Sequence, residues 1–159
     1  MKRSLKIKLG VIIFFLFLLF ALFFITSIPD FKEIFAGISN MEFNMHTFAR
    51  PQFISFLLVD FGIVCVFIRK KICWFITSFC FYFIAVLAYY LLIRRIVEGS
   101  VFLDLKSIIN LVLIHIPIIL LNTKDVALHF KCKNRLLNSS ILVVVVTILV
   151  VVLFSTMDI

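Results

Sequence analysis

Two acids and one histidine in this chain stand where such side chains are costly to keep. Asp60 interrupts the hydrophobic run Gln52 to Ile68, His115 the run Ser107 to Leu121, and Asp104 lies just ahead of that second run. A charged side chain at the centre of a bilayer costs about 2.5–3.5 kcal/mol on insertion scales, so a carboxylate there points to function by default. Asp60 lies nine residues before Arg69 and His115 seven before Asn122. At about 1.5 Å of helical rise per residue, their depths differ by only about 3 Å. A carboxylate and an imidazole at one depth make either a proton relay or a structural hydrogen bond. Asp104 precedes His115 by eleven residues, close to three turns, and so shares its face nearer the opposite end. Pro117 removes one helical hydrogen bond and frees the carbonyl of Leu113. Asp60, His115 and Asp104 therefore form the candidate intramembrane polar site, a track with little further polar lining. The competing reading is that these groups hold the helices of a bundle together.

The helix that carries Asp60 is two-faced. Phe56, Val64 and Phe67 share the face of Asp60, while Ser55, Gly62 and Cys65 lie opposite. Small residues of that kind let helices approach closely.

Other chemistry is sparse. Cys65, Cys73 and Cys80 fall in hydrophobic runs and Cys132 in a loop, with no CxxC and no metal-ligand spacing. Cysteine in such helices acts as a small buried hydrophobe. His129, Lys131 and Cys132 offer too few ligands for zinc. There is no G-x-S-x-G, HExxH, P-loop or glycine-rich dinucleotide turn. The expectation is a protein without catalytic residues, cofactor or metal. Asn138-Ser139-Ser140 matches a glycosylation acceptor, but the topology below puts it in the cytoplasm.

The elements that would position these residues follow from composition. Of 159 residues, 64% are hydrophobic, 15% are charged and 21 are phenylalanine. A soluble domain carries about 45–50% apolar and about 25% charged residues. A water-soluble globular domain, a disordered chain and a nucleic-acid binder are excluded, although the net charge is +8. Crossing about 30 Å of hydrocarbon takes about 20 apolar residues as a helix. Five stretches qualify, 9–28, 52–68, 72–93, 101–121 and 140–157, the fourth only if its helix begins near Val101. The run Val143 to Val146 is β-branched but belongs to a stretch too long, and too little alternating, for a strand. The first stretch exceeds a signal-peptide core and lacks a small-residue cleavage site, so a retained helix is expected. The expected fold is an all-α membrane protein, one domain over residues 1–159.

Lysine and arginine set the orientation. The amino-terminal tail has Lys2, Arg3, Lys6 and Lys8. The second-to-third connection is Arg69-Lys70-Lys71, and the fourth-to-fifth holds Lys124, Lys131, Lys133 and Arg135. Together these carry eleven of the 16 basic residues and one acid, Asp125. Cytoplasmic segments carry the basic excess. The bundle of five transmembrane helices is thus expected with the N-terminus cytoplasmic and the C-terminus outside. Arg94 and Arg95 are the residues that fit this least. Trp74 and Tyr89-Tyr90 mark the two ends of the third helix as an aromatic belt.

Two connections have content of their own. Asp30 and Glu33 resemble a capping pair, and Phe31, Ile34, Phe35 and Ile38 share a helical face. That pattern predicts a short amphipathic helix on the outer surface. In 122–139, Val126, His129 and Phe130 are interleaved with Lys124 and followed by Lys131, Lys133 and Arg135, as in a short amphipathic helix lying on an anionic leaflet, though the basic excess also serves topology alone.

The phrases Leu121-Asn122-Thr123-Lys124-Asp125-Val126 and His129-Phe130-Lys131 and the overall plan resemble small multi-pass proteins of bacterial cytoplasmic membranes. The likeness implies location and no specific chemistry. Two classes of function follow. One is a non-enzymatic interaction, accessory or immunity-type protein working by helix contacts with another membrane protein or a second copy. The other is a small transporter or ion- or proton-conducting subunit using Asp60 and His115. The bilayer is the common partner, and nucleic acid is not one.

Overall fold

Hydrocarbon offers no hydrogen bonds, so a chain this apolar satisfies its backbone internally by forming helices. The computed structural model describes residues 3–39, 51–97 and 105–155, and all regular structure among them is helical. In chain order the helices are α1 (Arg3–Ser39), α2 (Pro51–Val66), α3 (Lys71–Val97), α4 (Leu105–Leu121), α5 (Lys124–His129) and α6 (Arg135–Ser155). Three contain stretches long and apolar enough to cross a membrane: Arg3–Ile25, Lys71–Arg94 and Arg135–Leu153. The apolar parts of α2 and α4, Ile54–Val66 and Val112–Leu121, are shorter. The β-branched run Val143 to Val146 is helical, as expected.

The element bounds differ from the sequence expectation at several ends: α1 begins at Arg3 and not at Leu9, α2 stops at Val66 and not at Ile68, and α3 runs on to Val97 past Ile93. α1 continues past Ile28, through Pro29, to Ser39. A separate amphipathic helix starting at Asp30 is therefore not formed, and the Asp30 and Glu33 pair starts nothing. Pro29 lacks only the N–H that would have reached the Ile25 carbonyl, and near the end of an apolar run such a carbonyl is readily satisfied otherwise. α6 begins at Arg135, five residues before the expected Ser140. α4 is helical from Leu105; the expected start near Val101 and the expected end of the last span at Met157 lie outside the described residues.

α3 is the centre of the arrangement. It packs against α2, α4 and α6, whereas α1 packs against α2, α4 and α5. Cys73, Thr77, Cys80 and Ile84 line one face of α3 at helical spacing and are all buried. Cys73 lies beside Cys65 of α2, and Cys80 beside Gly62. Trp74, Ser78, Phe81, Tyr82 and Ala85 are also buried, Trp74 bonding to Leu121 of α4 and Tyr82 to Ser139 of α6. α1 contributes Leu9, Ile12 and Leu16, again one helical stripe. Phe20 and Phe24 stack around Phe56 of α2, with ring centroids 5.5 and 6.0 Å away. α6 offers Leu142, Val146 and Val150 and leaves the residues between them exposed. With no water between helices to expel, this close side-chain packing is what holds such helices together.

The connection between α4 and α6 is built into the bundle. Val126, Ala127, Phe130 and Cys132 are almost wholly buried. α5 closes with a Schellman pattern: the Cys132 N–H reaches the Ala127 carbonyl at 2.8 Å and the Lys131 N–H the Leu128 carbonyl at 2.9 Å. Lys131 occupies the left-handed position, at φ 59°, where glycine is commonest. The basic segment is thus a docked plug whose lysines Lys124, Lys131 and Lys133 point out.

Three contacts bring the basic segments to one end of the bundle. Lys8 pairs with Asp125 at 3.2 Å. Trp74, three residues past the 69–71 turn, bonds to Leu121. His129 lies close enough to Arg69 to feel its charge. Burial first, and the Arg69 cation second, hold the His129 imidazole below its usual pKa, which favours a neutral ring.

Candidate intramembrane polar site

The last turn of α4 leaves carbonyls with no helical partner, and in an apolar bundle these must be met locally. The side chain and backbone N–H of Asn122 both donate to the Ile118 carbonyl, at 2.9 and 3.2 Å. Thr123 meets the Leu120 carbonyl through its hydroxyl at 2.7 Å and its N–H at 3.1 Å. The Leu121 carbonyl accepts from Trp74 Nε1 at 3.1 Å, across 47 residues of sequence. Trp74 is fully buried and works as a cap on α4, although its place at a helix end reads in sequence as a belt residue.

A second set of bonds ties α6 to the same junction. Asn122 Nδ2 also donates to the Tyr82 hydroxyl at 2.9 Å. Tyr82 in turn is hydrogen-bonded to Ser139 Oγ. Either hydroxyl can supply the hydrogen of the Tyr82–Ser139 bond. One tyrosine of α3 thereby joins the end of α4 to the first turns of α6. Asn138 Nδ2 reaches Cys132 Sγ at 3.3 Å and holds the docked loop to α6. These residues were missed in the sequence because Asn138 and Ser139 read as a sequon. The available signal was that Asn122 and Ser139 bracket one short connection.

His115 is half-buried on α4 and stands 3.2 Å from the Tyr89 hydroxyl of α3 through its Nε2. The two rings meet edge to face at 5.7 Å between centroids. Pro117, two residues on, is buried within α4. Asp60 is elsewhere. It sits half-buried on α2 and makes no hydrogen bond or ion pair among the described residues. The hydrogen bonds described here join His115 to Tyr89 and do not join it to Asp60. Asp104 lies outside the described residues.

The face of α2 opposite Asp60 is the packing face, as its small residues imply. Ser55, Gly62 and Cys65 are buried there. An added Cβ at Gly62 would meet Leu16 Cδ2 at 3.2 Å and Cys80 Cβ at 3.6 Å, so α1 and α3 both close on this point.

Chemically, this arrangement cross-links helices through one buried hydrogen bond, Trp74 to Leu121, and several part-buried ones, and it leaves the Asp60 carboxyl group directed away from them. No protein-family model matches the chain, and no curated protein or solved structure matches it. Its class therefore rests on the residues themselves: among the described residues the protein is helical, with three helices long and apolar enough to span a membrane.

Proposed function

We propose that this is a small multi-pass protein of the cell membrane that acts without catalysis, as an interaction, accessory or immunity-type protein working through helix contacts in the bilayer. Its five helices α1, α2, α3, α4 and α6 each cross, with the amino-terminal segment cytoplasmic and the carboxy-terminal segment outside. A bacterial cytoplasmic membrane is the proposed location. The lipid bilayer and another membrane protein are its proposed partners, with a second copy as the alternative.

The observation that carries this reading is the use made of the polar side chains. Trp74, Tyr82, Asn122, Ser139 and the Tyr89–His115 pair each bind a neighbouring helix. Groups committed to such bonds serve assembly more readily than transfer of a solute. The orientation is supported by the gathering of the basic segments at one end through Lys8–Asp125 and Trp74–Leu121.

The test of function is a reconstituted flux assay on wild type, Asp60→Asn and His115→Ala, with co-purification from native membranes in parallel. The expected result is no proton or solute flux from wild type and a membrane protein that co-purifies with it. Flux from wild type that is lost in the two variants, with the co-purifying protein retained, would instead establish a small transporter or ion- or proton-conducting subunit using Asp60 and His115.

Orientation needs a different probe from the native thiols, because Cys132 is buried and bonded to Asn138. Lys133 is exposed. In a chain with its four cysteines replaced, Lys133→Cys is expected to resist an impermeant thiol reagent in intact cells and to react in inverted vesicles. Labelling in intact cells would reverse the topology.

A further inference from the structure

Successive residues on a helix are about 100° apart, so Asp60 and Gly62 point in nearly opposite directions. The Gly62 side of α2 is occupied: Ser55, Val59, Gly62 and Val66 are all buried against α1 and α3. The Asp60 side is covered at one end, where Phe56 is buried against Phe20 and Phe24 of α1, and open toward Leu57, Phe61 and Val64, with Asp60 itself half-buried. Leu57, Phe61 and Val64 flank the carboxyl group and are exposed, Phe61 by 63% and Val64 by 61%. In a soluble protein an aspartate on an open face needs no partner. Here the face is turned to lipid, where ionisable groups pair with one another or with backbone carbonyls. Within the chain that pairing is not made among the described residues. Nor is a headgroup near, because Asp60 lies nine residues from Pro51 and six from Val66, about 13 and 9 Å from the two ends of α2.

Charge selects the occupant. A two-fold contact with a second copy would bring like faces together and set Asp60 against Asp60. A helix with a basic side chain at that depth supplies the opposite charge. We infer that the face of α2 formed by Leu57, Asp60, Phe61 and Val64 docks a transmembrane helix of another protein that carries a lysine or arginine at the depth of Asp60. This rests on the interaction reading above and names the chemistry of the partner. The apolar residues supply packing, and the ion pair supplies register and choice of partner.

The probe is a synthetic leucine–alanine transmembrane helix with one central lysine, compared with the same helix bearing leucine at that place. Each is labelled for energy transfer to the full chain in lipid nanodiscs. Wild type is expected to bind the lysine helix about tenfold more tightly than the leucine helix, an advantage of about 1.4 kcal/mol. Asp60→Asn should abolish the preference and Asp60→Glu should keep most of it. Circular dichroism should be unchanged in both variants, because the Asp60 carboxyl makes no hydrogen bond or ion pair among the described residues and both replacements are close to it in size. Equal binding of the two helices by wild type, or a preference that survives in Asp60→Asn, would overturn the inference. So would self-association of wild type that Asp60→Asn abolishes, which would assign the face to a second copy. A native partner still captured by Asp60→Asn, without flux, would remove this face and leave the interaction reading standing. Flux from wild type that Asp60→Asn abolishes would remove both.

Discussion

Trp74→Ala is expected to destabilise the folded protein by about 3–5 kcal/mol, the range for removing a large aromatic side chain from a closed site. Two terms contribute. The indole is fully buried between α3 and α4, so its loss opens a cavity that neighbours such as Phe75, in edge contact at 5.3 Å, do not fill. The Leu121 carbonyl also loses the donor that caps it, in a buried place where water does not replace it. Trp74→Phe separates the terms. It keeps most of the volume and removes the N–H, so its cost should be about 1–3 kcal/mol. The measurement is reversible unfolding in mixed micelles followed by circular dichroism, since either change removes the one tryptophan. If Trp74→Phe is as stable as wild type, the capping bond contributes nothing. If Trp74→Ala is too, the α3–α4 contact is not where the structure puts it.

Trp74 also shows where sequence reasoning stops. An indole at a helix end fits the membrane-interface rule, and nothing local distinguishes a belt residue from a cap. The distinction depends on a carbonyl 47 residues away, and single-chain patterns carry no such pairing. Tyr89, exposed at the other end of α3, also reaches His115, a contact that the same rule does not reveal. What the sequence did reveal were features set by residues close together. The turn at 69–71 is too short for anything but an antiparallel hairpin of α2 and α3. The small residues Ser55, Gly62 and Cys65 marked the packing face of α2, because only small side chains permit that approach.

The polar site was less legible for a geometric reason. Rise per residue gives only an expected depth, which is shared by Asp60 and His115. Depth says nothing about azimuth. α3 stands at the centre of the bundle, with α2 and α4 both packed against it, and His115 meets Tyr89 of α3. The loop 122–139 shows another limit. Its basic residues read as a topology signal, but Val126, Ala127 and Phe130 between them had the spacing of a buried turn of helix. Charge excess and a docked plug are compatible, since the lysines point out while the apolar side chains point in.

Gly62→Leu is expected to cost about 1–3 kcal/mol or more by overpacking, and the seam around Gly62 explains why two leucine-sized groups cannot share it. The Cβ of alanine would come to 3.2 Å from Leu16 Cδ2, the movable end of a side chain, and to ordinary contact with Cys80 Cβ and Sγ at 3.6 Å. A shift of a few tenths of an ångström in Leu16 accommodates that, and alanine is about 1 kcal/mol better than glycine in a helix. Gly62→Ala should therefore fall within about 1 kcal/mol of wild type. The further carbons of leucine would have to occupy the space of Leu16 itself, which is fully buried on α1, or displace α3 at Cys80. Leu16→Ala should cost about 2–5 kcal/mol alone. Combined with Gly62→Leu it should cost less than the two separate losses together, by about 1 kcal/mol or more, because the cavity on α1 receives the side chain added to α2. Strict additivity in that cycle would mean that Leu16 and Gly62 do not meet, and the placement of α1 against α2 would fall with it. Because Asp60 points the other way, the same variants should leave the preference for a lysine-bearing helix intact wherever the protein still folds, so the packing face and the docking face of α2 can be tested one at a time.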